Sequence, residues 1–549
     1  MNRTYRKLSF ISASASVFLM GCGATSLVST PIENIDTVPL KISELTEAEE
    51  KNWGHADLIL DTIPGMSVDK AYNEIIKNKK GKTIVVAVLD SGMDLEHEDL
   101  KDVLWTNRDE IPNNGKDDDG NGYVDDIHGY NFLGDAYNEQ LEYVRMLRLN
   151  IGDASDRAKA RLLLDEEYPQ ALQNKQQYEQ IFQVVKNADA AVKEELGKDS
   201  YTKEDLVAIQ PKTAQMEQSV AVLTQMFTYG ESIPKVIDEL TEGINYFTDQ
   251  VNYNLNKDFN GRIPVGDDPY DITDIPYGNG NPKNLVKTES HGTHVAGIIA
   301  ASRNNGKGAN GVANNVEIMS IRAVPNGDEY DKDIALGIRY AVDNGASIIN
   351  CSFGKSFSPE SEWVYDAIKY ASSRDVLIVH AAGNDGEDLD DPENPNYPND
   401  HRFRSTEFVD NVITVGALTS SYGSEMVATF SNYGKQNVDV FAPGDKIYST
   451  MPNNEYEFQG GTSMAAPAVS GVAALIRSHY PDLSAPQIKN IIMQSGLRSK
   501  ASVIVAGDET KATTFDKISK SGKMVNAYNA LILADNISKG KMTLDSNTK

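Results

Sequence analysis

Five short apolar runs, rich in β-branched residues, recur between residues 83 and 418. Runs that are nearly continuously apolar, rather than alternating, are typical of strands buried on both faces of a parallel sheet. Stretches with apolar residues at helical spacing, such as DIALGIRYAVDNG, lie between them. This order predicts an α/β fold, in which helices cover both faces of a parallel β-sheet. The runs are TIVVAVLD (83–90), VEIMSIRAV (316–324), ASIINCSF (346–353), DVLIVHAAG (375–383) and NVITVGAL (411–418).

The segment from 134 to 255 has a different composition, rich in Glu, Gln, Lys, Leu and Ala, with apolar positions three or four residues apart. Breaks at 197–200, at Pro211 and at 230–232 predict about four helices, and Thr202 with Asp205 has the pattern of a helix cap. We expect a mainly α-helical subdomain inserted into the α/β domain. The segment contains no catalytic pattern.

The net charge of the 549 residues is -28, which argues against nucleic acid or an anionic membrane surface as a partner. Hydrophobic residues make up 40% of the chain, which is a globular composition, so the acidity is attributed to a solvated surface.

The N-terminus carries three basic residues followed by the mostly apolar run LSFISASASVFLM, which is typical of a signal peptide over residues 1–21. The next motif, Leu19-Met20-Gly21-Cys22, resembles the lipobox of bacterial lipoproteins, and this resemblance implies acylation of Cys22. We therefore expect an exported lipoprotein of the cell envelope, on its periplasmic or surface face. The alternative is an ordinary signal peptide in which Cys22 is incidental. If Cys22 is acylated, Cys351 is the only free cysteine and no internal disulfide forms.

The stretch KDDDGNGYVDDIHGYNF (116–132) has the spacing of a calcium loop. A glycine, Gly122, stands where such a loop turns sharply, but His128 replaces the Glu expected at the end of a complete EF-hand. We expect a structural calcium ion here, and the alternative is an Asp-rich turn without metal. The predicted ligands are Asp117, Asp119, Asn121 and Asp125.

Three further stretches place an acid, a base and a nucleophile at the ends of predicted elements. VAVLDSGMD places Asp90 at the end of a strand, SHGTHVAGIIAAS places His291 before a helix, and GGTSMAAPAVSGVAALI places Ser463 at another helix start. Hydrolysis by serine requires a base for the hydroxyl proton and an acid that orients the base. Each residue taken alone is also compatible with an ordinary structural role, as a turn residue, a helix cap or an N-cap.

Together, the flanks DSG, HGTHVAG and GTSMAAP, with AAGN at 381–384, resemble those of the subtilisin family of serine proteases. The resemblance covers residues 84–133 and 256–500 and implies a subtilisin-like sheet. It also implies that Asp90 orients His291, the general base and acid, and that Ser463 is the nucleophile. Asn384 matches the side chain that donates to the oxyanion together with the Ser463 backbone N–H. The segments that match the walls of the substrate cleft are Ser352, Phe353 and Gly354, and Ala381, Ala382 and Gly383.

Two other features are interpreted through the same resemblance. The stretch PNGDEYDKD aligns with the edge that contacts residues upstream of the scissile bond, and its acidic residues predict a preference for Lys or Arg there. A solvated acidic loop is the alternative. His294 and Cys351 are interpreted as structural residues. The acidic residues of the edge are Asp328, Glu329, Asp331 and Asp333.

The function expected from these patterns is that of a membrane-anchored, extracytoplasmic serine endopeptidase that acts on protein or peptide substrates and is stabilised by calcium. The alternatives are an inactive subtilisin-like lipoprotein that binds peptides or a partner, and a calcium-dependent adhesin or scaffold that would leave the triad unexplained. The N-terminal stretch is too short for a separable propeptide with its own core. The expected organisation is a signal peptide (1–21), an anchored linker with a lead-in helix (22–82), a first catalytic part (83–133), the helical insertion (134–255), a second catalytic part (256–535) and a tail (536–549).

Overall fold

A computed structural model describes residues 29–37, 41–402 and 406–545. The predicted signal peptide and Cys22 lie outside these residues. The strands are β1 Ile84–Asp90, β2 Gly129–Asn131, β3 Val316–Arg322, β4 Ile348–Cys351, β5 Leu377–Ala381, β6 Val412–Leu418, β7 Val440–Pro443, β8 Ile447–Met451, β9 Glu455–Gln459, β10 Leu497–Arg498, β11 Ser502–Val505, β12 Asp508–Thr514 and β13 Lys523–Met524.

The α-helices are α1 Glu47–Asn52, α2 Val68–Ala71, α3 Glu142–Leu149, α4 Ala154–Leu196, α5 Lys203–Val207, α6 Ala214–Met226, α7 Ile233–Asp249, α8 His291–Ala300, α9 Asp331–Asp343, α10 Ser361–Ser373, α11 Thr462–His479, α12 Ala485–Ser495 and α13 Ala527–Ser538. Single turns of 3-10 or π-helix occur at 35–37, 53–55, 72–76, 101–103, 250–254 and 515–517.

Nine strands form one sheet in the order β10-β13-β7-β6-β5-β4-β1-β3-β2. Neighbours from β13 to β2 run parallel, and only β10 is antiparallel to its neighbour. One face packs against α8, α11, α12 and α13, and the other against α9 and α10. The predicted α/β fold is confirmed, and each of the five apolar runs contains one parallel strand.

The parallel arrangement determines where functional residues gather, because the carboxyl ends of all parallel strands meet at one edge of the sheet. Asp90 ends β1 and Cys351 ends β4, directly before Ser352. Helices α8 and α11 pack against each other, and each begins at a candidate catalytic segment. The fold therefore brings together stretches that are far apart in the chain.

Five helices and a π-helical turn occupy the segment predicted to be helical. The 43-residue α4 spans about 65 Å at 1.5 Å per residue. Thr202 and Asp205 form a capping box at the start of α5, as predicted. The segment has two apolar clusters, one among α4, α5, α6 and α7 and one that joins α3 and the start of α4 to Phe357 beside the cleft segment. Its first helix is therefore part of the catalytic domain's packing.

The N-terminal residues from 29 onward do not form a free linker. Trp53, Leu58 and Ile63 are 1–2% exposed and share an apolar cluster with strands and loops from the C-terminal part of the chain. The backbone of Ile32 donates to and accepts from the Asn529 side chain, at 2.8 and 3.0 Å. No local sequence pattern predicts this docking, because the residues that pack against the segment lie several hundred positions later in the chain.

Candidate active site

Asp90 and His291 form a hydrogen-bonded pair at the carboxyl edge of the sheet. His291 is the first residue of α8, and its Nδ1 lies 2.7 Å from Asp90 Oδ1. Asp90 is 1% exposed and also accepts from the Ser91 N–H at 2.8 Å, whereas the His291 side chain is 38% exposed. A buried acid thus orients a partly exposed imidazole.

The close approach of α8 to the turn after β1 depends on Gly292. A methyl group at this position would lie 2.2 Å from the Gly92 carbonyl oxygen, too close for any side chain.

Burial lowers the pKa of His291, but the charge of Asp90 and its hydrogen bond outweigh burial and hold this pKa above its ordinary value. The pair therefore has the arrangement and the basicity of a general base with its orienting acid.

Ser463 lies at the start of α11, and its hydroxyl is directed at the neighbouring wall segment. Ser463 Oγ donates to the Ser352 carbonyl oxygen at 3.0 Å, and Ser352 Oγ donates to the Ser463 carbonyl oxygen at 2.9 Å. In this arrangement the hydroxyl proton of Ser463 is not directed at His291. Proton transfer to His291 requires rotation of the Ser463 hydroxyl away from the Ser352 carbonyl.

Asn384 is held next to the N-terminus of α11. Its Oδ1 accepts from the backbone N–H and the hydroxyl of Thr462, at 2.9 and 3.0 Å. These contacts fix the amide oxygen against Thr462 and so determine the orientation of Nδ2. A methyl group at Gly461 would lie 3.6 Å from both Asn384 Nδ2 and the backbone N of Ser463. Two nitrogens that carry N–H groups therefore lie at equal distances from one point, a placement compatible with binding an oxyanion there.

Asparagine side chains hold the predicted cleft segment 381–383. Asn396 Nδ2 donates to the carbonyls of Ala381 and Ala382, at 3.1 and 2.9 Å, and Asn432 Nδ2 donates to Ala382 at 3.0 Å. Gly383 has φ +100, and a methyl group there would lie 2.4 Å from Asn432 Nδ2. The sequence offered only turn-type stretches around Asn396 and Asn432, without a motif that distinguishes these two asparagines from their neighbours.

The prediction of a negatively charged edge that favours Lys or Arg in the substrate is wrong. Three of its carboxylates are buried, at 0–6% exposure, and have cationic neighbours: Glu329, Asp331 and Asp333. Arg262 donates to both oxygens of Asp333, at 2.6 and 2.8 Å, and Lys355 lies 2.9 Å from Asp331. Burial raises the pKa of Glu329 to about 8, and Asp328 accepts from the Glu142 N–H at 2.7 Å. These charges are compensated inside the protein, so they do not form an open negative surface for basic substrate residues.

The predicted calcium ligands Asp117, Asp119 and Asn121 contact one another, since the Asn121 N–H donates to both carboxylates, while Asp125 contacts a different part of the loop. The Asp117 carboxylate accepts from three backbone N–H groups, those of Gly120, Asn121 and Gly122, at 2.7–3.1 Å. Asp125 caps the N–H groups of residues 114 and 115, at 3.0 and 2.9 Å. Asp117 and Asp125 thus stabilise the turns of the loop.

A different carboxylate cluster forms at the base of the same loop. Ligand atoms of Glu110, Asp119 and Asp126 all lie within 4.8 Å of one another. Glu110 is 6% exposed, and its Oε2 has no hydrogen-bond partner within the described residues. Burial raises the pKa of Asp126 to about 6, although Tyr340 donates to it at 2.7 Å. A buried carboxylate oxygen without a partner, next to two others, fits a hard cation such as calcium. Glu110 precedes the Asp-rich stretch, and its position was not apparent from loop spacing.

Cys351 and His294 have structural positions. Cys351 is fully buried on β4, and burial raises the pKa of its thiol, so it is not a nucleophile. His294 is fully buried on α8, and burial lowers its pKa to about 3. Its Nε2 lies 3.2 Å from the Glu457 carbonyl oxygen in the hairpin of β8 and β9.

Comparison with known proteins gives consistent matches. The model of the Subtilase family matches residues 81–515. The chain is 36% identical over 280 residues to a thermophilic serine proteinase of Bacillus sp. (strain AK1), an alignment that covers 50% of this chain and 58% of that relative. It is 35% identical over 280 residues to thermitase of Thermoactinomyces vulgaris, covering 50% of this chain and 83% of thermitase. It is also 40% identical over 201 residues to subtilisin DY of Bacillus licheniformis, covering 36% of this chain and 68% of that protein.

Proposed function

This chain belongs to the subtilase family of serine proteases, and we propose that it is an endopeptidase that uses Asp90, His291 and Ser463 with an oxyanion hole at Asn384. The observation that carries the proposal is the hydrogen bond of 2.7 Å between His291 and the buried Asp90. A buried carboxylate behind a partly exposed, basic imidazole is the arrangement required for proton transfer from a serine hydroxyl.

In the proposed reaction, Ser463 Oγ leaves the Ser352 carbonyl, attacks the substrate carbonyl carbon and gives its proton to His291 Nε2. The substrate oxygen then carries negative charge and accepts from Asn384 Nδ2 and the Ser463 N–H. His291 passes the proton to the leaving amine, and water later hydrolyses the acyl-enzyme by the same route. The Ser463 N–H is one of the first N–H groups of α11, which have no partner within the helix, so it is available as a donor.

Labelling with a fluorophosphonate tests the nucleophile directly. The wild-type protein should react at Ser463 and cleave a protein substrate, while Ser463→Ala should do neither. A thiol-blocking reagent should leave activity intact because Cys351 is fully buried. Peptide binding by a protein that neither labels nor cleaves would instead support an inactive, peptide-binding role.

We also propose that calcium binds at Glu110, Asp119 and Asp126 and stabilises the root of the helical insertion. The support is the proximity of the three carboxylates and the unpartnered Oε2 of Glu110. When bound, calcium supplies charge compensation and rigidity. Asn107 Nδ2 donates to both Asp119 and Asp126 at 3.0 Å and holds these two carboxylates toward the same point.

Export and anchoring are proposed from the sequence motifs alone. The apolar run and the motif ending in Cys22 support a signal peptide and a lipid anchor in the cell envelope. Within the described residues, no helix is long and apolar enough to cross a membrane. Mass spectrometry of the membrane fraction tests the proposal, which predicts acylated Cys22 at the N-terminus of the mature chain.

A further inference from the structure

The first helix of the insertion makes a buried ionic cluster with two segments, the edge segment that the resemblance assigns to the upstream side of the cleft and the residue that follows the cleft segment 352–354. The cluster contains Glu142 and Arg145 from α3, Lys355 directly after the cleft segment 352–354, and the backbone of residues 328 and 329 in the edge segment. The side chains of Glu142, Arg145 and Lys355 are 0–2% exposed. Such buried charges are costly unless each has several partners.

The contacts close into a ring. Arg145 and Lys355 both donate to Glu142 Oε2, at 2.5 and 2.8 Å. They also both donate to the Glu329 carbonyl oxygen, at 2.9 and 2.8 Å. One insertion carboxylate and one edge-segment carbonyl are thus each held by the same two cations, so α3 supports the direct contact of Lys355 with the edge segment.

Arg145 also determines the local shape of the edge segment. Its Nη1 donates to the Asp328 carbonyl at 2.7 Å, while its Nη2 donates to the next carbonyl, that of Glu329. Neighbouring carbonyls in an extended strand point in opposite directions, so a single guanidinium that reaches both requires a bend. The rigid, planar fork of arginine suits this contact, and the single ammonium of lysine does not.

The backbone of the insertion extends the same contact. The Asn326 N–H donates to the Tyr137 carbonyl at 2.8 Å, and the Asn326 carbonyl accepts from the Glu139 N–H at 3.0 Å. Asn254, at the other end of the insertion, donates to the carbonyls of both Glu139 and Asn326 at 2.9 Å. Both ends of the insertion therefore hold the edge segment.

We propose that Glu142 and Arg145 are positioning residues that fix the upstream part of the substrate cleft, so that the helical insertion determines how extended peptides bind. The inference rests on the proposed protease function. We expect Glu142 and Arg145 to affect the binding of substrate residues several positions upstream of the scissile bond, and not the reactivity of Ser463.

The test compares two substrates of different length. One is a peptide with four residues upstream of a chromogenic amide, and the other is an acylated single-residue ester that does not reach the edge segment. A double variant, Glu142→Leu with Arg145→Met, replaces one buried charge of each sign by an apolar group, a type of change that proteins often tolerate, and leaves Lys355 paired with Asp331. Its kcat/KM for the long peptide should fall at least roughly tenfold, mainly through KM, with about twofold change or less for the ester.

Arg145→Lys keeps the charge and should give a smaller change in the same direction, and it carries the test if the double variant does not fold. Arg161→Met is the matched control, since Arg161 is exposed on the same insertion. Equal losses for both substrates, or no loss for either, would overturn the proposal. Failure of the wild-type protein to label with fluorophosphonate and to hydrolyse the ester would contradict the proposed function instead.

Discussion

Ser463 and Ser352 form a reciprocal pair, in which each hydroxyl donates to the carbonyl oxygen of the other residue, at 3.0 and 2.9 Å. Behind them, Asn350 Nδ2 donates to Ser352 Oγ at 2.8 Å, and Ser470 Oγ donates to Asn350 Oδ1 at 2.9 Å. Asn350, Ser352 and Ser470 are all buried. This chain of hydrogen bonds links β4 to α11 directly below the nucleophile and fixes the Ser463 backbone relative to the cleft wall.

Ser352→Ala should therefore affect both stability and turnover. The change removes the donor to the Ser463 carbonyl and leaves Asn350 Nδ2 buried without its acceptor, which costs about 1–3 kcal/mol. A less well positioned nucleophile should lower kcat by roughly tenfold. Denaturant unfolding and acylation kinetics measure the two effects, with the exposed Ser373→Ala as control. Wild-type turnover in Ser352→Ala would show that the network does not position Ser463.

The pH dependence of activity should report the pair of Asp90 and His291. His291 must be neutral to accept a proton, so kcat/KM is lost as pH falls through its pKa in the folded protein. Because the pKa of His291 is raised, the midpoint of this acid limb should lie above the ordinary value of about 6.5. Asp90→Asn removes the charge that raises the pKa and should move the midpoint to lower pH. It should also reduce kcat about 10⁴-fold through the wrong tautomer. An unchanged midpoint would contradict the assignment.

Two substitutions test the oxyanion hole by different routes. Asn384→Ala removes one donor and should lower kcat by about 10²- to 10³-fold. Gly461→Ala leaves both donors but places a methyl group 3.6 Å from each of them, where the oxyanion would bind. Gly461 has an extended φ of 160, so alanine fits without strain and the melting temperature should hardly change. The control is Gly460→Ala, whose methyl group faces Asp445. Full activity of Gly461→Ala would place the oxyanion elsewhere.

Calcium should stabilise the protein by binding the folded state. Chelation should lower the melting temperature, by an amount equivalent to about 2.7 kcal/mol if calcium was present at 100 times its dissociation constant. Glu110→Gln should abolish this calcium dependence. Asp125→Asn should lower stability with and without calcium, because Asp125 caps backbone N–H groups. The opposite pattern, with calcium dependence lost only in Asp125→Asn, would favour the ligand set predicted from loop spacing.

Much of the fold was predictable because local pattern and tertiary burial agree. The run at 411–418 is apolar throughout, and every residue of β6 is buried. Short or polar strands were missed, since β2 has three residues and the hairpin strand β9 is largely exposed. These strands depend on neighbours distant in the chain, as in the pairing of Tyr130 with Ile321. No local periodicity encodes such partners.

The site was predictable where a motif joins residue type to a backbone position, as for Asp90, His291, Ser463 and Asn384. It was not predictable where charge compensation comes from elsewhere. Asp331 and Asp333 look like a negative surface in sequence, but Lys355 and Arg262 neutralise them in the fold. Loop spacing likewise does not reveal that Asp117 and Asp125 accept hydrogen bonds from backbone N–H groups. Such partners depend on the fold and are not encoded in residue type.

The N-terminal segment should remain part of the active protein. Trp53 is 2% exposed, and its Nε1 donates to the carbonyls of Asp445 and Lys446, at 3.2 and 3.1 Å. Further along, the Met66 carbonyl accepts from the Ala527 N–H at 2.8 Å, and Ser67 accepts from Asn526 at 2.8 Å. These contacts bind the N-terminal segment to the C-terminal part of the domain, so its removal would expose the apolar surface that it covers.

Trp53→Ala should accordingly destabilise the protein by about 3–5 kcal/mol, the usual cost of deleting a buried large aromatic side chain. A chain that begins at residue 83 should fail to fold or should aggregate, and residues 53–76 of the full protein should resist limited proteolysis. The protein purified in active form should retain residues 32–76, as shown by mass spectrometry. A new N-terminus between residues 70 and 83 that appears in the wild-type protein and not in Ser463→Ala would contradict this. It would identify the segment as a propeptide that the protease removes from itself.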